Sequence, residues 1–223
     1  MPVSQEAVDY FSNHRYKMRF PWSLYHGPIV RALRDVIQTS PGKDLLNLGS
    51  GPFFELQQLG DIEKSVTLCD IDARAIELAR QLHQEKIARF DVTAPGAPLP
   101  YPDSSFDLVV SMDVVEHVPE PLPWLREAMR VLRPAGTLFL TTPNYASFGL
   151  RFLEATALEA IARIQGFSRK LLHPSKMTPA SLAQLLSAAG GCNTEICATA
   201  FGWVIIANSR KPTLQSERPG VTS

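Results

Sequence analysis

The chain has 223 residues, 45% of them hydrophobic, which is enough to form one domain with a buried core. Its 22 basic and 22 acidic residues cancel, and without a basic excess a nucleic-acid partner is not expected. The N-terminus lacks a leader pattern, no apolar run approaches membrane-spanning length, and Cys69, Cys192 and Cys197 lack metal-site spacing. These features predict a soluble, cytoplasmic protein without a membrane partner.

Residues 4–37 are predicted to form cap helices ahead of a sheet. One amphipathic segment starts at residue 6, and a second runs over residues 29–37 and stops before Pro41. Aromatic and basic side chains are concentrated between the two segments: Arg15, Tyr16, Arg19, Trp22, Tyr25 and His26. A solvated, partly packed helix pair would also explain this concentration.

From residue 44 onward the chain alternates strand-like and helical segments, the order that builds a mostly parallel sheet. The predicted strands are 44–49, 65–70, 86–91, 106–112, 137–142, 192–199 and 201–208. The predicted helices are 54–59, 73–83, 123–132 and 178–189, the last with Thr178 as its N-cap and Gly190 as its stop. Residues 94–103 hold four prolines and are predicted to form an extended loop.

Two segments fall outside this alternation. Residues 145–172 are predicted to be an inserted helical segment over the carboxyl ends of the strands, which makes 145–173 a candidate substrate lid. Residues 211–223 are polar and contain proline, and we expect a flexible tail there. The remaining chain, 1–210, is predicted to be a single domain with its core at 43–143 and its final helix and strands at 178–209.

The first predicted strand runs into a glycine-rich turn, Asn47-Leu48-Gly49-Ser50-Gly51. Two glycines separated by one residue let the backbone pass close to a ligand at a strand-to-helix turn. Binding of NAD or FAD also needs a small residue three positions after the second glycine, and Phe54 occupies that position. The turn therefore favours a ligand without a pyrophosphate, such as S-adenosylmethionine.

Asp70 ends the second predicted strand, about 20 residues beyond Gly49. An acidic residue at this distance lies at the tip of the strand, where its carboxylate can accept hydrogen bonds from ribose hydroxyls. Gly-x-Gly alone is common, and Asp70 alone could be an ordinary loop aspartate. Their combination predicts a nucleoside site.

With these motifs the chain resembles the class I S-adenosylmethionine-dependent methyltransferases over residues 44–139, and more loosely to about residue 211. Segments 106–118 and 131–138 are also typical of that family. The resemblance implies an α/β, Rossmann-like fold: a seven-stranded, mostly parallel sheet with an antiparallel last strand, N-terminal cap helices and a helical lid insertion. In that family the cap closes over cofactor and substrate.

The resemblance also implies S-adenosyl-L-methionine as the cofactor, with Asp91 as the acid that contacts the adenine amine. The expected cofactor-binding residues are Asn47, Gly49, Ser50, Gly51, Asp70, Ile71, Asp91, Val92 and Met112. This chain departs from the family at two positions. Asn47 replaces the acid that usually opens the motif, and Phe53 replaces the usual third glycine.

Methyl transfer from a sulfonium needs positioning, and an acceptor that carries a proton also benefits from a general base. His117 follows the fourth strand, which the resemblance places near the transferred methyl group, and histidine titrates near neutral pH. It could instead cap the turn before Pro119. The resemblance adds a second candidate, His173, at the end of the predicted lid, where the family often has a histidine that faces the pocket. His173 could instead be an ordinary exposed loop histidine. Glu116 completes the candidate catalytic set.

A metal site is the second interpretation of this segment. Asp113, Glu116 and His117 are spaced i, i+3 and i+4, so a helical turn would place them on one face, with His173 as a fourth ligand. This arrangement is similar to the metal-dependent ubiquinone-biosynthesis O-methyltransferases and small-RNA 2′-O-methyltransferases. Those families usually have Glu at the first position, and the prolines at 119, 121 and 123 disfavour a regular helix, so we prefer a site without metal.

The sequence therefore predicts an enzyme that methylates an oxygen or nitrogen of a small molecule, with His117 as the base. The metal-dependent O-methyltransferase is one alternative. A protein that binds S-adenosylmethionine without turnover, as a partner of another protein, is the other, and the lost acid at Asn47 supports it. The sequence leaves open the acceptor and the oligomeric state.

Overall fold

The structure is a computed structural model that describes residues 23–153 and 174–213. The first predicted cap helix, residues 154–173 of the predicted lid and residues 214–223 of the predicted tail lie outside the described residues. In chain order the helices are α1 (Ser23–Thr39), α2 (Leu56–Leu59), α3 (Ala73–His83), α4 (Pro121–Val131), α5 (Phe148–Leu153) and α6 (Pro179–Ala188). The strands are β1 (Asp44–Leu48), β2 (Ser65–Asp70), β3 (Arg89–Val92), β4 (Phe106–Met112), β5 (Leu132–Pro143), β6 (Cys192–Thr199) and β7 (Val204–Arg210).

The strands form one seven-stranded sheet in the order β3-β2-β1-β4-β5-β7-β6. The first five strands in this order are parallel, and β7 is antiparallel to both of its neighbours, β5 and β6. The predicted mostly parallel sheet with an antiparallel last strand is confirmed. Because β1 leads to β2 on one side and β4 lies on its other side, the strand order reverses beside β1, where open α/β sheets bind ligands.

Helices cover both faces of the sheet, which explains why the central strands are apolar almost continuously. Leu45 and Leu46 are consecutive in β1 and both are fully buried, one on each face. The face of Leu46 packs against α4 and α6, and the face of Leu45 packs against α1, α2 and α3. Among the described helices, none combines the length and the apolar character needed to cross a membrane.

Several element boundaries differ from the prediction for local reasons. β3 begins at Arg89 instead of 86, because the N–H groups of Lys86 and Ile87 still bond to the carbonyl of His83 at the end of α3. β7 begins at Val204 instead of 201, because the preceding residues form the turn from β6. β5 begins at residue 132, directly after α4, and its first residue already pairs with β4.

The predicted start of α6 is confirmed in detail. The Ser181 N–H donates to Thr178 Oγ1 at 3.1 Å, and the Thr178 N–H donates to Ser181 Oγ at 2.9 Å. With Pro179 at the first helical position, whose missing N–H needs no partner, these two bonds form a capping box at the start of the helix.

Asp107 joins three strands at the amino ends of the sheet. Its Oδ2 accepts hydrogen bonds from the backbone N–H groups of Lys43 and Asp44 at 2.9 and 3.0 Å. Arg133 of β5 donates to the same oxygen at 2.7 Å and to Asp44 at 2.8 Å. Burial is the largest influence on the Asp107 pKa and raises it, but the two amides and Arg133 together outweigh burial and lower the pKa.

Replacing Asp107 with asparagine should lower the free energy of unfolding at pH 7 by about 1–3 kcal/mol, because the shared acceptor of three donors loses its charge. The lowered pKa means that this stabilisation is fully present above the unfolded value of about 3.9 and is lost as pH falls through the folded value. Urea unfolding of both proteins at pH 7 and at about pH 3 should show the difference shrinking in acid.

Glu85→Gln is the matched control, since it neutralises an exposed carboxylate. It should change stability by less than about 0.5 kcal/mol. An Asp107→Asn variant as stable as the wild type at pH 7 would contradict the proposed role of this carboxylate.

Candidate functional site

The two glycines of the first turn differ in what surrounds them. Gly49 has a φ of +72°, and a Cβ there would lie 2.6 Å from Val114 Cγ2, so packing excludes any side chain. Gly51 has a φ of +53°, and no atom lies within 4 Å of the position its Cβ would take. The backbone at Gly51 is therefore exposed to open space, which a ligand can approach closely.

Asp70 links this turn to the end of β2. Its Oδ2 accepts a hydrogen bond from the Gly51 N–H at 2.7 Å, and its Oδ1 accepts one from the Asp72 N–H at 2.9 Å. Each carboxylate oxygen can accept a further hydrogen bond, so both oxygens can still receive the hydroxyls of a ribose. Asp70 thus orients the turn and presents acceptors beside it.

A cavity of about 190 Å³ lies above this turn. Five of the predicted cofactor residues line it: Gly49, Ser50, Gly51, Asp70 and Met112. The other lining residues were not among the predicted cofactor-binding residues: His26, Ile29, Val30, Pro52, Phe53, Phe54, Glu55, Asp113 and Val114. The cavity is smaller than the ~300–1,000 Å³ typical of ligand pockets, so it can enclose only part of a nucleoside-containing ligand.

Two apolar side chains lie outside the cavity at the carboxyl edge of the sheet. Ile71 is 60% exposed, and Val92 is 51% exposed. Ile71 directly follows Asp70, and Val92 is the register partner of Asp70 on β3. Together they form an exposed apolar surface beside Asp70, of the kind on which an aromatic ring packs.

Asp91, the predicted adenine contact, does not line the cavity. Its Oδ2 accepts a hydrogen bond from the Tyr101 hydroxyl at 2.8 Å and is 2.7 Å from Arg89 Nε. Tyr101 is nearly fully buried, and burial raises the pKa of its hydroxyl, which therefore stays a donor. Any contact between Asp91 and an adenine amine thus falls to its other oxygen, Oδ1.

Asn47 is completely buried in β1, two residues before Gly49. Within the described residues, neither the oxygen nor the nitrogen of its amide has a hydrogen-bond partner. An unsatisfied buried polar group costs about 1–3 kcal/mol, so an additional partner at the base of the turn would be stabilising. Open space at Gly51, acceptors at Asp70 and the orphaned Asn47 amide all fit a polar ligand here.

The loop after the glycines is held by the protein core. Phe53, in place of the usual third glycine, adopts a φ of +52° with its ring 1% exposed in the same core cluster as Leu45. Behind it, His83 Nε2 lies 3.2 Å from the Pro52 carbonyl. Burial lowers the pKa of His83, so the ring is neutral and donates its Nε2–H to this carbonyl.

The turn after β4 does not form the predicted helical face. A short 3₁₀ helix spans Val115–His117, and Asp113 precedes it with a φ of +52°. Asp113 lines the cavity and accepts a hydrogen bond from Thr141 Oγ1 at 2.9 Å.

The two residues predicted to act beside Asp113 differ in exposure. Glu116 is buried and accepts a hydrogen bond from Thr142 Oγ1 at 3.0 Å, whereas His117 is exposed. Neither lines the cavity. No group of three or more candidate metal ligands occurs within the described residues. His173, the fourth predicted ligand and the second predicted catalytic histidine, lies outside them.

Comparison with known proteins supports the family. Residues 46–140 match the family model described as a methyltransferase domain. A Mycolicibacterium smegmatis protein whose name assigns it to the S-adenosylmethionine-dependent methyltransferases is 32% identical over 108 residues, 48% of this chain and 40% of that protein. The ubiquinone biosynthesis O-methyltransferase of Xanthomonas campestris is 34% identical over 131 residues, 56% of this chain and 52% of that protein. The matches thus span about half or less of these relatives.

Solved structures show the same fold at low sequence identity. An S-adenosylmethionine-dependent methyltransferase from Aquifex aeolicus superposes with a TM-score of 0.60 at 15% identity, over 81% of this chain and 88% of that one. The (4+2)-cyclase SpnF superposes with a TM-score of 0.66 at 18% identity, over 87% and 84%. The fold therefore hosts more than one chemistry, and the family model identifies the domain. Residues 46–140 thus match a methyltransferase domain, and the relatives that align with this segment are named S-adenosylmethionine-dependent methyltransferase and O-methyltransferase.

Proposed function

We propose that this protein transfers a methyl group from S-adenosylmethionine to an oxygen or nitrogen of a small molecule. The observation that carries the proposal is the cavity where the open backbone of Gly51 meets the carboxylate of Asp70. The cofactor supplies an electrophilic methyl group on a sulfonium sulfur. The protein's contribution is then to orient both reactants and exclude water, and orientation alone is worth up to roughly 7–11 kcal/mol.

Six of the predicted cofactor residues have a definite task in this proposal. Asp70 accepts the ribose hydroxyls while holding the glycine turn through the Gly51 amide. Ile71 and Val92 pack against the adenine, and the Oδ1 of Asp91 receives its amine. Asn47 supplies the buried amide below the turn.

His117 remains our candidate for the base that removes the acceptor's proton. It lies on the turn after β4, four residues beyond the cavity residue Asp113, and its exposure leaves it accessible to an acceptor arriving from outside. The segment after the predicted lid is tied to the same turn. Ser175 donates from its N–H to the Glu116 carbonyl at 3.1 Å and from its hydroxyl to the Val118 carbonyl at 2.6 Å. These two bonds tie Ser175 to the turn that carries His117.

We favour this metal-free mechanism over the metal-dependent alternative. Of the proposed ligands within the described residues, Asp113 faces the cavity, Glu116 is buried against Thr142 and His117 is exposed. Convergence on one ion would require this turn to rearrange. The name of the Xanthomonas relative supports an oxygen acceptor, and we place phenols first among the acceptors to test.

Binding without turnover is the second candidate, and the uncharged, orphaned Asn47 is the observation that favours it. Calorimetric titration with S-adenosylmethionine and S-adenosylhomocysteine tests binding. A methyl-release screen across phenols, sugars and amines then tests transfer. Binding together with transfer supports the enzyme, and binding with no transfer to any acceptor class favours the non-catalytic role.

Asp70→Ala should weaken binding of S-adenosylmethionine by about 1–3 kcal/mol, because the ribose loses a charged acceptor and the Gly51 amide loses its partner. Calorimetry on the folded variant measures the change. Asp61→Ala, at an exposed aspartate outside the cavity, is the control and should bind like the wild type. Unchanged affinity in a folded Asp70→Ala protein would remove the central element of the proposed site.

His117→Ala should lower single-turnover methyl transfer about 10²–10⁴-fold, and a chelator should have no effect, if His117 acts as a base without metal. A metal site instead predicts full loss with chelator, recovery with magnesium or zinc, and similar losses in Asp113→Ala, Glu116→Ala and His173→Ala. Indifference to chelator together with a fully active His117→Ala variant would contradict both mechanisms.

A further inference from the structure

We propose that His26 binds the carboxylate of the cofactor's methionine group and so selects for cofactors with an intact amino acid end. This inference rests on the proposed function, because it assigns a group of S-adenosylmethionine to one side chain of the same cavity.

The charges that line the cavity carry the argument. Three carboxylates border it, those of Glu55, Asp70 and Asp113. Among the described lining residues, His26 is the one with a basic side chain. A ligand end with two negative charges, such as a phosphate, would be repelled by this acidic surface. An amino acid zwitterion fits better, since carboxylates can take its ammonium while a basic group takes its carboxylate.

The acidic residues that line the cavity cannot bind the cofactor's carboxylate themselves. Asp70 already orders the ribose end of the cavity through its two backbone donors, and Asp113 accepts from Thr141 on the opposite side, after β4. Carboxylates accept hydrogen bonds and donate none when ionised. The complementary donor must come from backbone N–H groups or from His26.

α1 places His26 over the glycine turn. His26, Ile29 and Val30 are spaced i, i+3 and i+4 in this helix, so they share one face, and all three line the cavity with Gly49. Ile29 and Val30 are almost fully buried at 3% and 4% exposure, which fixes the rotation of the helix. The Tyr25 ring contacts the imidazole edge-on, with ring centroids 4.8 Å apart, and restricts its orientation.

Imidazole is suited to this task in both of its protonation states. The neutral ring donates one N–H to a carboxylate, and the protonated ring adds a charge to that hydrogen bond. Loss of one such bond corresponds to about a 10- to 100-fold change in affinity.

The test compares ligands that differ in the relevant group. S-adenosylmethionine and decarboxylated S-adenosylmethionine differ only in the carboxylate, and 5′-methylthioadenosine lacks the whole amino acid. Dissociation constants for all three are measured by calorimetry on the full chain and on His26→Ala, His26→Gln and Arg31→Ala. Arg31→Ala is the matched control, because it removes an exposed cation of the same helix that does not line the cavity.

We expect His26→Ala to weaken S-adenosylmethionine binding about 10- to 100-fold and to leave the two ligands without the carboxylate within about twofold. His26→Gln, which keeps an N–H donor, should recover part of the loss, and Arg31→Ala should behave like the wild type. Circular dichroism confirms that each variant is folded.

Three outcomes overturn the assignment. An equal loss for all three ligands would mean that His26 only shapes the cavity, and no loss for any would mean that it does not touch the cofactor. Both leave the proposed function intact if the wild-type chain binds S-adenosylmethionine. A wild-type chain that binds none of the ligands would overturn the proposed function along with the role of His26.

Discussion

The hydrogen bond from the Gly51 N–H to the Asp70 carboxylate is the contact on which the candidate site depends. It joins the turn after β1 to the end of β2 at 2.7 Å, so the exposed backbone and the carboxylate that we propose as the ribose acceptor are held together. The second oxygen of Asp70, bonded to the Asp72 N–H, fixes the carboxylate against the start of α3. A charge-assisted bond of this kind is short and directional, and it leaves little freedom in the relative position of the two strand ends.

The rest of the sheet supports this contact from a distance. β1 is held between β2 and β4 by parallel pairing, and at the opposite end Asp107 and Arg133 tie β1, β4 and β5 together. Gly49 is pressed against Val114, which follows β4, so the turn after β1 cannot shift without moving the neighbouring turn. The glycine turn therefore packs directly against the turn that follows β4.

Much of this organisation could be predicted from the sequence, because it depends on local signals. The signals lie within short segments: the apolar strand runs, the spacing from Gly49 to Asp70 and the cap at Thr178. The fold that they predict is the one observed. The side-chain directions after β4 could not be predicted the same way. The i, i+3, i+4 spacing assumes a regular helix, but the backbone at Asp113 is left-handed and only a single 3₁₀ turn follows it, with Glu116 buried and His117 exposed.

Contacts between residues far apart in the chain could not be predicted from the sequence either. Nothing near Asp91 in the chain reveals that the Tyr101 hydroxyl occupies one of its oxygens, since that contact depends on how the proline-rich loop packs. The sequence shows that His26 belongs to a cap segment rich in aromatic and basic residues. Its place on the cavity becomes apparent only when Ile29 and Val30 show which face of α1 is buried.

Phe53 has a thermodynamic consequence for ligand recognition. A glycine at this position would let the loop sample many backbone conformations. Ligand binding would then have to order the loop, at an entropic cost of roughly 1–2 kcal/mol per residue. The buried ring has already removed that freedom during folding. Ligand binding therefore costs little conformational entropy in the loop, and a polar ligand can bind tightly with few direct contacts. The same rigidity limits adaptation, because a cofactor analogue with a bulkier group would meet the hydrophobic core instead of a loop that can yield.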